Sequence, residues 1–116
     1  MAAKGLRSNA QFKRVYNEGR REAGEWVIIY CLTAGVTEIR PGFVASKKKV
    51  GARATRRNRA KRLMREVFRG VRERLATRDL WIVMIAAFDP ERTTFKMLLE
   101  DVERSLRRVG MIAGDG

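Results

Sequence analysis

The sequence predicts an α+β fold: a small mixed sheet of about four strands with three helices packed on it, in the order α-β-β-β-α-β-α. Three observations carry this. Apolar residues recur at helical spacing in separate stretches, other runs are rich in β-branched and aromatic residues, and no repeat, low-complexity tract or linker interrupts their succession. At 116 residues with 45% hydrophobic content, the chain suits a single domain over 1–116 with an ordered core of about 6–110.

Residues 1–7 read as a basic lead-in that frays. Ser8 and Gln11 have the spacing of a capping box, in which each side chain accepts from the other residue's amide. A helix of about three turns follows, with Phe12, Val15 and Tyr16 on one side and Gly19 as its stop. Residues 20–25 form a polar connector with room for a short edge strand. Trp26 to Thr33 is a strand by composition: Val27, Ile29 and Cys31 face one way, and Trp26, Ile28, Tyr30 and Leu32 the other. Both faces are apolar, so at least one is more than a solvated surface. Residues 34–40, with Gly35 among them, read as a hairpin loop leading to a strand at Gly42 to Ser46.

Thr55 or an immediate neighbour is the expected cap of the long helix, which continues to about Ala76. Its packed stripe is Ala60, Leu63, Met64, Val67, Phe68, Val71 and Leu75. Leu80 to Phe88 is nearly all apolar, which fits a central strand covered on both faces and ended by Asp89-Pro90. Thr93 or Thr94 caps a last helix with Phe95, Leu98, Leu99, Val102, Leu106 and Val109 inward, closed by Gly110 before a loose tail. On that helix Glu100, Asp101 and Glu103 mix with Arg104, Arg107 and Arg108, the pattern of a solvated, salt-bridged face.

Charge is concentrated in one place. The chain has 26 Lys and Arg against 13 acids, a net charge of +13, and Lys47 to Arg74 holds 13 of those cations with only Glu66 and Glu73 against them. This block has two parts, a lysine-rich strand end at Lys47 to Lys49 and an arginine ridge on the long helix. An advance of about 100° per residue puts Asn58, Arg62, Arg65, Arg69 and Arg72 opposite the packed stripe, within an arc of about 80°. A merely solvated face mixes its signs, because like charges one turn apart repel. This one scarcely does, so it implies an external polyanion, nucleic acid first and an anionic membrane surface second. The membrane reading is the weaker, since the basic helix uses its apolar stripe for a core. Arginine dominates the ridge, and its planar fork suits phosphates and exposed bases. With no zinc finger, leucine zipper or convincing helix-turn-helix, a folded RNA with unpaired bases is the better partner.

Catalysis finds no candidates. The sequence has no histidine, and its one cysteine, Cys31, sits in an apolar run as a core residue of a reducing compartment. The longest apolar runs are about half the ~20 residues of a bilayer crossing, so a soluble, cytoplasmic protein is expected. Phe12 and Tyr16, with Trp26 or Tyr30, are open to two readings, core packing or a stacking surface for single-stranded nucleic acid.

Gly42-Phe43-Val44-Ala45-Ser46-Lys47-Lys48, followed by Arg57-Asn58-Arg59-Ala60-Lys61-Arg62-Leu63-Met64-Arg65-Glu66-Val67-Phe68-Arg69, resembles the signature region of the bacterial ribonuclease P protein subunit. The resemblance extends from about Leu6 to Val109. It implies a left-handed β-α-β crossover, against the usual hand. It also implies an RNA-binding domain that helps a catalytic RNA remove the 5′ leader of precursor tRNA, with Mg2+ held mainly by the RNA, none bound with confidence by the protein alone, and no catalytic residue in the protein. Carried over position by position, Lys47, Lys48, Arg57, Asn58, Arg59, Lys61, Arg62, Arg65 and Arg69 face ribonuclease P RNA, while Phe12, Tyr16 and Ile29 fall on leader-binding positions. Ile29 is the residue a straightforward alignment puts at the family's strand tyrosine. Neither a protein partner nor a membrane is implied. Charge and size alone also suit a ribosomal or ribosome-associated RNA-binding protein.

Overall fold

The computed structural model describes residues 5–113. The start of the basic lead-in and the end of the loose tail lie outside the described residues. The elements are α1 (Asn9–Glu18), β1 (Arg20–Ala23), β2 (Val27–Leu32), β3 (Ile39–Val44), α2 (Lys47–Val50), α3 (Ala54–Arg72), β4 (Leu80–Ala86) and α4 (Phe95–Arg108). They build one sheet in the order β1-β2-β4-β3, with β1/β2 and β2/β4 antiparallel and β3/β4 parallel. The segment carrying α2 and α3 is therefore a crossover between adjacent parallel strands.

Local chemistry explains most of the boundaries. Ser8 Oγ accepts from the Gln11 amide at 3.2 Å and Gln11 Oε1 accepts from the Ser8 amide at 3.2 Å, so the capping box forms. Gly19 ends α1, its amide donating to the Val15 carbonyl at 2.8 Å. Thr94 caps α4, accepting from the Met97 amide at 3.2 Å.

Four expectations are corrected. Residues 34–40 do not close a hairpin, because β4 lies between β2 and β3. That strand is apolar on both faces and needs a paired neighbour on each side; the loop is instead anchored by Asp79, which accepts from the amides of Ala34 and Gly35 at 3.1 and 2.8 Å. β3 begins at Ile39 and includes Pro41, which is tolerated because the strand is an edge and the Pro41 carbonyl faces outward to the Leu6 amide at 2.9 Å. Lys47 to Lys49 are not a strand end. They wind into α2 because Ser46 Oγ accepts from the Lys49 amide at 3.1 Å. Finally, the cap position of α3 is Arg53, without a side-chain capping bond, and the helix stops at Arg72 rather than near Ala76, whose amide donates to the Met111 carbonyl at 2.7 Å.

Two apolar layers sandwich the sheet unequally. On one face α3 and α4 press Met64, Val67, Phe68, Val71, Leu98 and Val102 onto Val27, Ile29, Ile82 and Met84. Each fully buried aliphatic side chain of this kind contributes about 1.5 to 3 kcal/mol relative to exposure. On the other face α1 stands alone, with Val15 and Leu6 buried against Trp81 and Val83. One ten-residue helix leaves part of that face uncovered.

Asp101 is not on a solvated face. It is 1% exposed and its carboxylate accepts from the amides of Glu25, Trp26 and Val27 at 2.7, 2.9 and 3.0 Å, fastening α4 to the β1–β2 turn. Cys31 is buried, and burial pushes its thiol up to about 12. The native protein is therefore expected to resist iodoacetamide at about pH 8, where little thiolate exists, and to react once denatured. Rapid alkylation without denaturant would contradict this placement.

Candidate nucleic-acid interface

The cations of α2 and α3 divide by what they touch. Arg56 is committed internally: Nη2 lies 3.2 Å from Asp89, Nη1 lies 3.3 Å from Glu91, and Nε donates to the Val50 carbonyl at 3.2 Å. Arg57 Nη1 donates to the carbonyls of Gly51 and Ala52 at 3.1 and 2.6 Å, and Arg59 Nε donates to the Pro90 carbonyl at 3.1 Å. These bonds fix the entry of a helix that has no side-chain cap, and they tie it to the loop after β4. Each guanidinium has five N–H donors, so Arg57 and Arg59 keep donors for a ligand. The Asp89 carboxyl in this cluster is held below the usual carboxylate range by the Glu91 amide first and then by the Arg56 and Arg92 guanidinium groups.

The rest of the ridge has no such employment. Lys47, Lys48, Asn58, Arg62, Arg65 and Arg69 are exposed and Lys61 is half-buried. Among the described residues, none of these seven side chains makes a hydrogen bond or an ion pair. Like charges one turn apart on α3 are thus left to repel, at a cost of a few tenths of a kcal/mol per pair. An arriving row of phosphates reverses that term.

The opposite face of the sheet holds Phe12, Tyr16 and Tyr30. Tyr16 on α1 is 37% exposed and stands edge-on to Tyr30 of β2, with ring centroids 5.0 Å apart and planes at 82°. Phe12 lies one turn earlier, its centroid 6.4 Å from that of Tyr16. Its ring rests on the β3 backbone at Gly42, where a Cβ would come within 2.7 Å of the ring, so only glycine permits the approach. Beside these rings Ile28, Ile85 and Val44 are in register across β2, β4 and β3 and only half-buried. The result is a cleft with an aromatic wall and an apolar floor. Burial, and then the neighbouring Tyr30, raise the Tyr16 hydroxyl above its ordinary value, so it is neutral near physiological pH.

The carried-over position Ile29 does not belong to this cleft. It has no exposed surface and sits in the layer under α3 and α4, because alternation along β2 turns Val27, Ile29 and Cys31 to that side. Tyr30 is the strand residue in the cleft. The signal was present in the alternation itself, which groups Tyr30 with Ile28 and Leu32 once one face is known to be the helix-covered core. Trp26, the other candidate, precedes β2 and packs against the larger core.

The two surfaces meet at the outer edge of β3. There Leu6 and Phe12 face Lys61, Arg65 and Arg69 across an open groove of about 660 Å³ with Phe43 in its lining. On α3 the groove's Phe68 lies among Lys61, Arg65, Arg69 and Arg72, whereas Leu6, Phe12 and Phe43 join it from segments far away in the chain, which spacing does not report. Among the described residues, no three His, Cys, Asp or Glu side chains gather as a metal site would require. Among them, too, no helix is long and apolar enough to cross a membrane. The arrangement can bind phosphates on one side and stack bases on the other.

Comparison with known proteins bears on the family and the fold. The sequence model of the family described as Ribonuclease P matches residues 1–110. The ribonuclease P protein component of Caldanaerobacter subterraneus subsp. tengcongensis is 32% identical over 103 residues, covering 89% of this chain and 86% of the relative. That of Clostridioides difficile is 33% identical over 106 residues, covering 91% and 88%. Among solved structures, the RNase P protein of Staphylococcus aureus superposes with a TM-score of 0.78 at 25% identity, over 96% of this chain and 99% of that one. The RNase P protein of Thermotoga maritima gives 0.77 at 28% identity, over 90% and 96%.

Proposed function

The chain belongs to the bacterial ribonuclease P protein family and is a subunit of that endoribonuclease, acting with ribonuclease P RNA in tRNA 5′ maturation, and from this we propose how its surfaces divide the work. The α2–α3 face holds ribonuclease P RNA: Lys47, Lys48, Asn58, Lys61, Arg62, Arg65 and Arg69 contact it directly, with the remaining donors of Arg57 and Arg59. The cleft formed by Phe12, Tyr16 and Tyr30 receives the single-stranded 5′ leader of precursor tRNA. The observation that carries this division is the pair of opposed surfaces, a row of cations that make no ion pair among the described residues on one side of the sheet and an aromatic cleft left open by α1 on the other. Duplex or folded RNA presents phosphates outward and suits the first. Only a strand with unstacked bases can use the second.

In this reading the protein contributes binding and position, and the RNA contributes the phosphodiester chemistry together with most of the bound Mg2+. The family resemblance supports that assignment, and work in the cytoplasm, where tRNA is processed, belongs to the same reading. Dense cationic charge on the protein offsets phosphate repulsion that the RNA would otherwise screen with divalent ions.

Leader recognition is tested by Tyr16→Ala and Tyr30→Leu in the reconstituted holoenzyme. Each is expected to weaken precursor tRNA binding by roughly 1 to 3 kcal/mol if a base stacks there, with mature tRNA binding unchanged. Equal losses for both RNAs would remove the leader from this cleft.

A further inference from the structure

The groove at the β3 edge has the parts of a nucleotide site. Its first part is aromatic: Phe43 is half-buried with the Arg65 guanidinium 5.4 Å from its ring centroid and the Phe68 ring at 6.2 Å. Its second part is main chain. The Glu38 carbonyl of the connection into β3 accepts from the Leu80 amide, whereas the Pro41 carbonyl accepts from Leu6 on the outer side. Alternation along an edge strand then turns the Phe43 N–H and C=O outward as well, toward the groove and away from β4. Its third part is charge, since Lys61, Arg65, Arg69 and Arg72 all line it from α3.

An unpaired nucleotide offers the complement of each part: a π face, an edge with donors and acceptors, and flanking phosphates. The volume of about 660 Å³ is in the range of sites that enclose a small ligand. We propose that this groove receives one unpaired nucleotide of ribonuclease P RNA, its base against Phe43, its edge toward the Phe43 main chain, and its phosphates on Lys61, Arg65 and Arg69. The source is the RNA subunit rather than the leader because the groove's cations all belong to α3 and continue the ridge. The inference rests on the assignment of that ridge to ribonuclease P RNA.

The test compares wild type, Phe43→Leu and Phe43→Tyr for binding to ribonuclease P RNA, with folding checked by circular dichroism. Phe43→Leu is expected to lose roughly 5- to 100-fold in affinity with the slope against salt unchanged, and Phe43→Tyr to stay near wild type, because a base is lost and no phosphate contact is. If wild type binds this RNA and Phe43→Leu binds it equally well, the groove is no nucleotide site and the ridge assignment stands. Failure of wild type itself to bind would instead remove the underlying reading. A defect confined to precursor tRNA binding by preassembled holoenzyme would assign the groove to the leader and overturn the proposal. Should Phe43→Leu not fold, titration of the wild-type protein with adenosine monophosphate and with inorganic phosphate decides by amide chemical shifts. Movement of Gly42 and Phe43 with the nucleotide alone supports a base site, and the same movement with phosphate, or none with either, overturns it.

Discussion

Arg62→Ala and Arg65→Ala together are expected to weaken binding to ribonuclease P RNA and to flatten its salt dependence by roughly 1.5 in the log-log slope, two phosphate contacts at about 0.7 to 0.9 each. The double substitution is a clean probe because it costs α3 nothing intrinsic. Alanine is the better helix former, and its introduction relieves repulsion among neighbouring arginines. Arg65→Ala does remove a guanidinium from over the Phe43 ring, so thermal stability is followed alongside, and a fall in affinity with stability unchanged is a loss of RNA contacts. Arg56→Ala supplies the contrast on the same helix. Its guanidinium is engaged with Asp89, Glu91 and the Val50 carbonyl, so its loss is expected to lower thermal stability and leave the slope near wild type. An unchanged slope in the Arg62, Arg65 variant would mean that these side chains are not on phosphates.

Asp101→Ala is expected to cost about 3 to 5 kcal/mol of folding stability, as measured by urea unfolding. The carboxylate is 1% exposed and takes up three consecutive amides at the start of β2, so its removal leaves the buried Val27 amide and the part-buried amides of Glu25 and Trp26 without their acceptor. Gly24→Ala should destabilise by the same route, since a Cβ there would come within 2.5 Å of Asp101 Oδ2. That carboxylate is held by its amides and cannot simply swing away. Because β2 carries Tyr30, both variants are expected to disturb the leader cleft before they disturb the ridge. A loss below about 1 kcal/mol for Asp101→Ala would show that water replaces the carboxylate and that the fastening is dispensable.

What could be read in advance follows physical range. The stripe of α3, the capping box at Ser8 and the all-apolar β4 are short-range patterns, and their residues lie where periodicity put them. Strand order was not legible in the same way, because the insertion of β4 between β2 and β3 is decided by which strand needs two neighbours, a property of the whole sheet. The misplacement of Ile29 has a related origin. Period-2 alternation separates Ile29 from Tyr30 but does not say which set faces the helices, and a one-residue offset exchanges core for cleft. Asp101 looked like any acid on a charged helix. Its partners are 74 to 76 residues away in the chain, beyond anything local spacing reports. Among the arginines, the ridge was visible from helical geometry, whereas the commitment of Arg56, Arg57 and Arg59 to nearby carbonyls and carboxylates depends on loop paths that no periodicity encodes.

The central claim is that this subunit supports a catalytic RNA by neutralising and positioning RNA strands. Leader removal from precursor tRNA by a bacterial ribonuclease P RNA, followed across a Mg2+ titration with and without the protein, tests it most directly. The protein is expected to shift the requirement to lower Mg2+, the Arg62, Arg65 double variant to lose much of this shift, and discrimination between substrates with and without a leader to need intact Tyr16 and Tyr30. A titration curve that the protein leaves unmoved would mean that it neither neutralises nor positions the RNA strands.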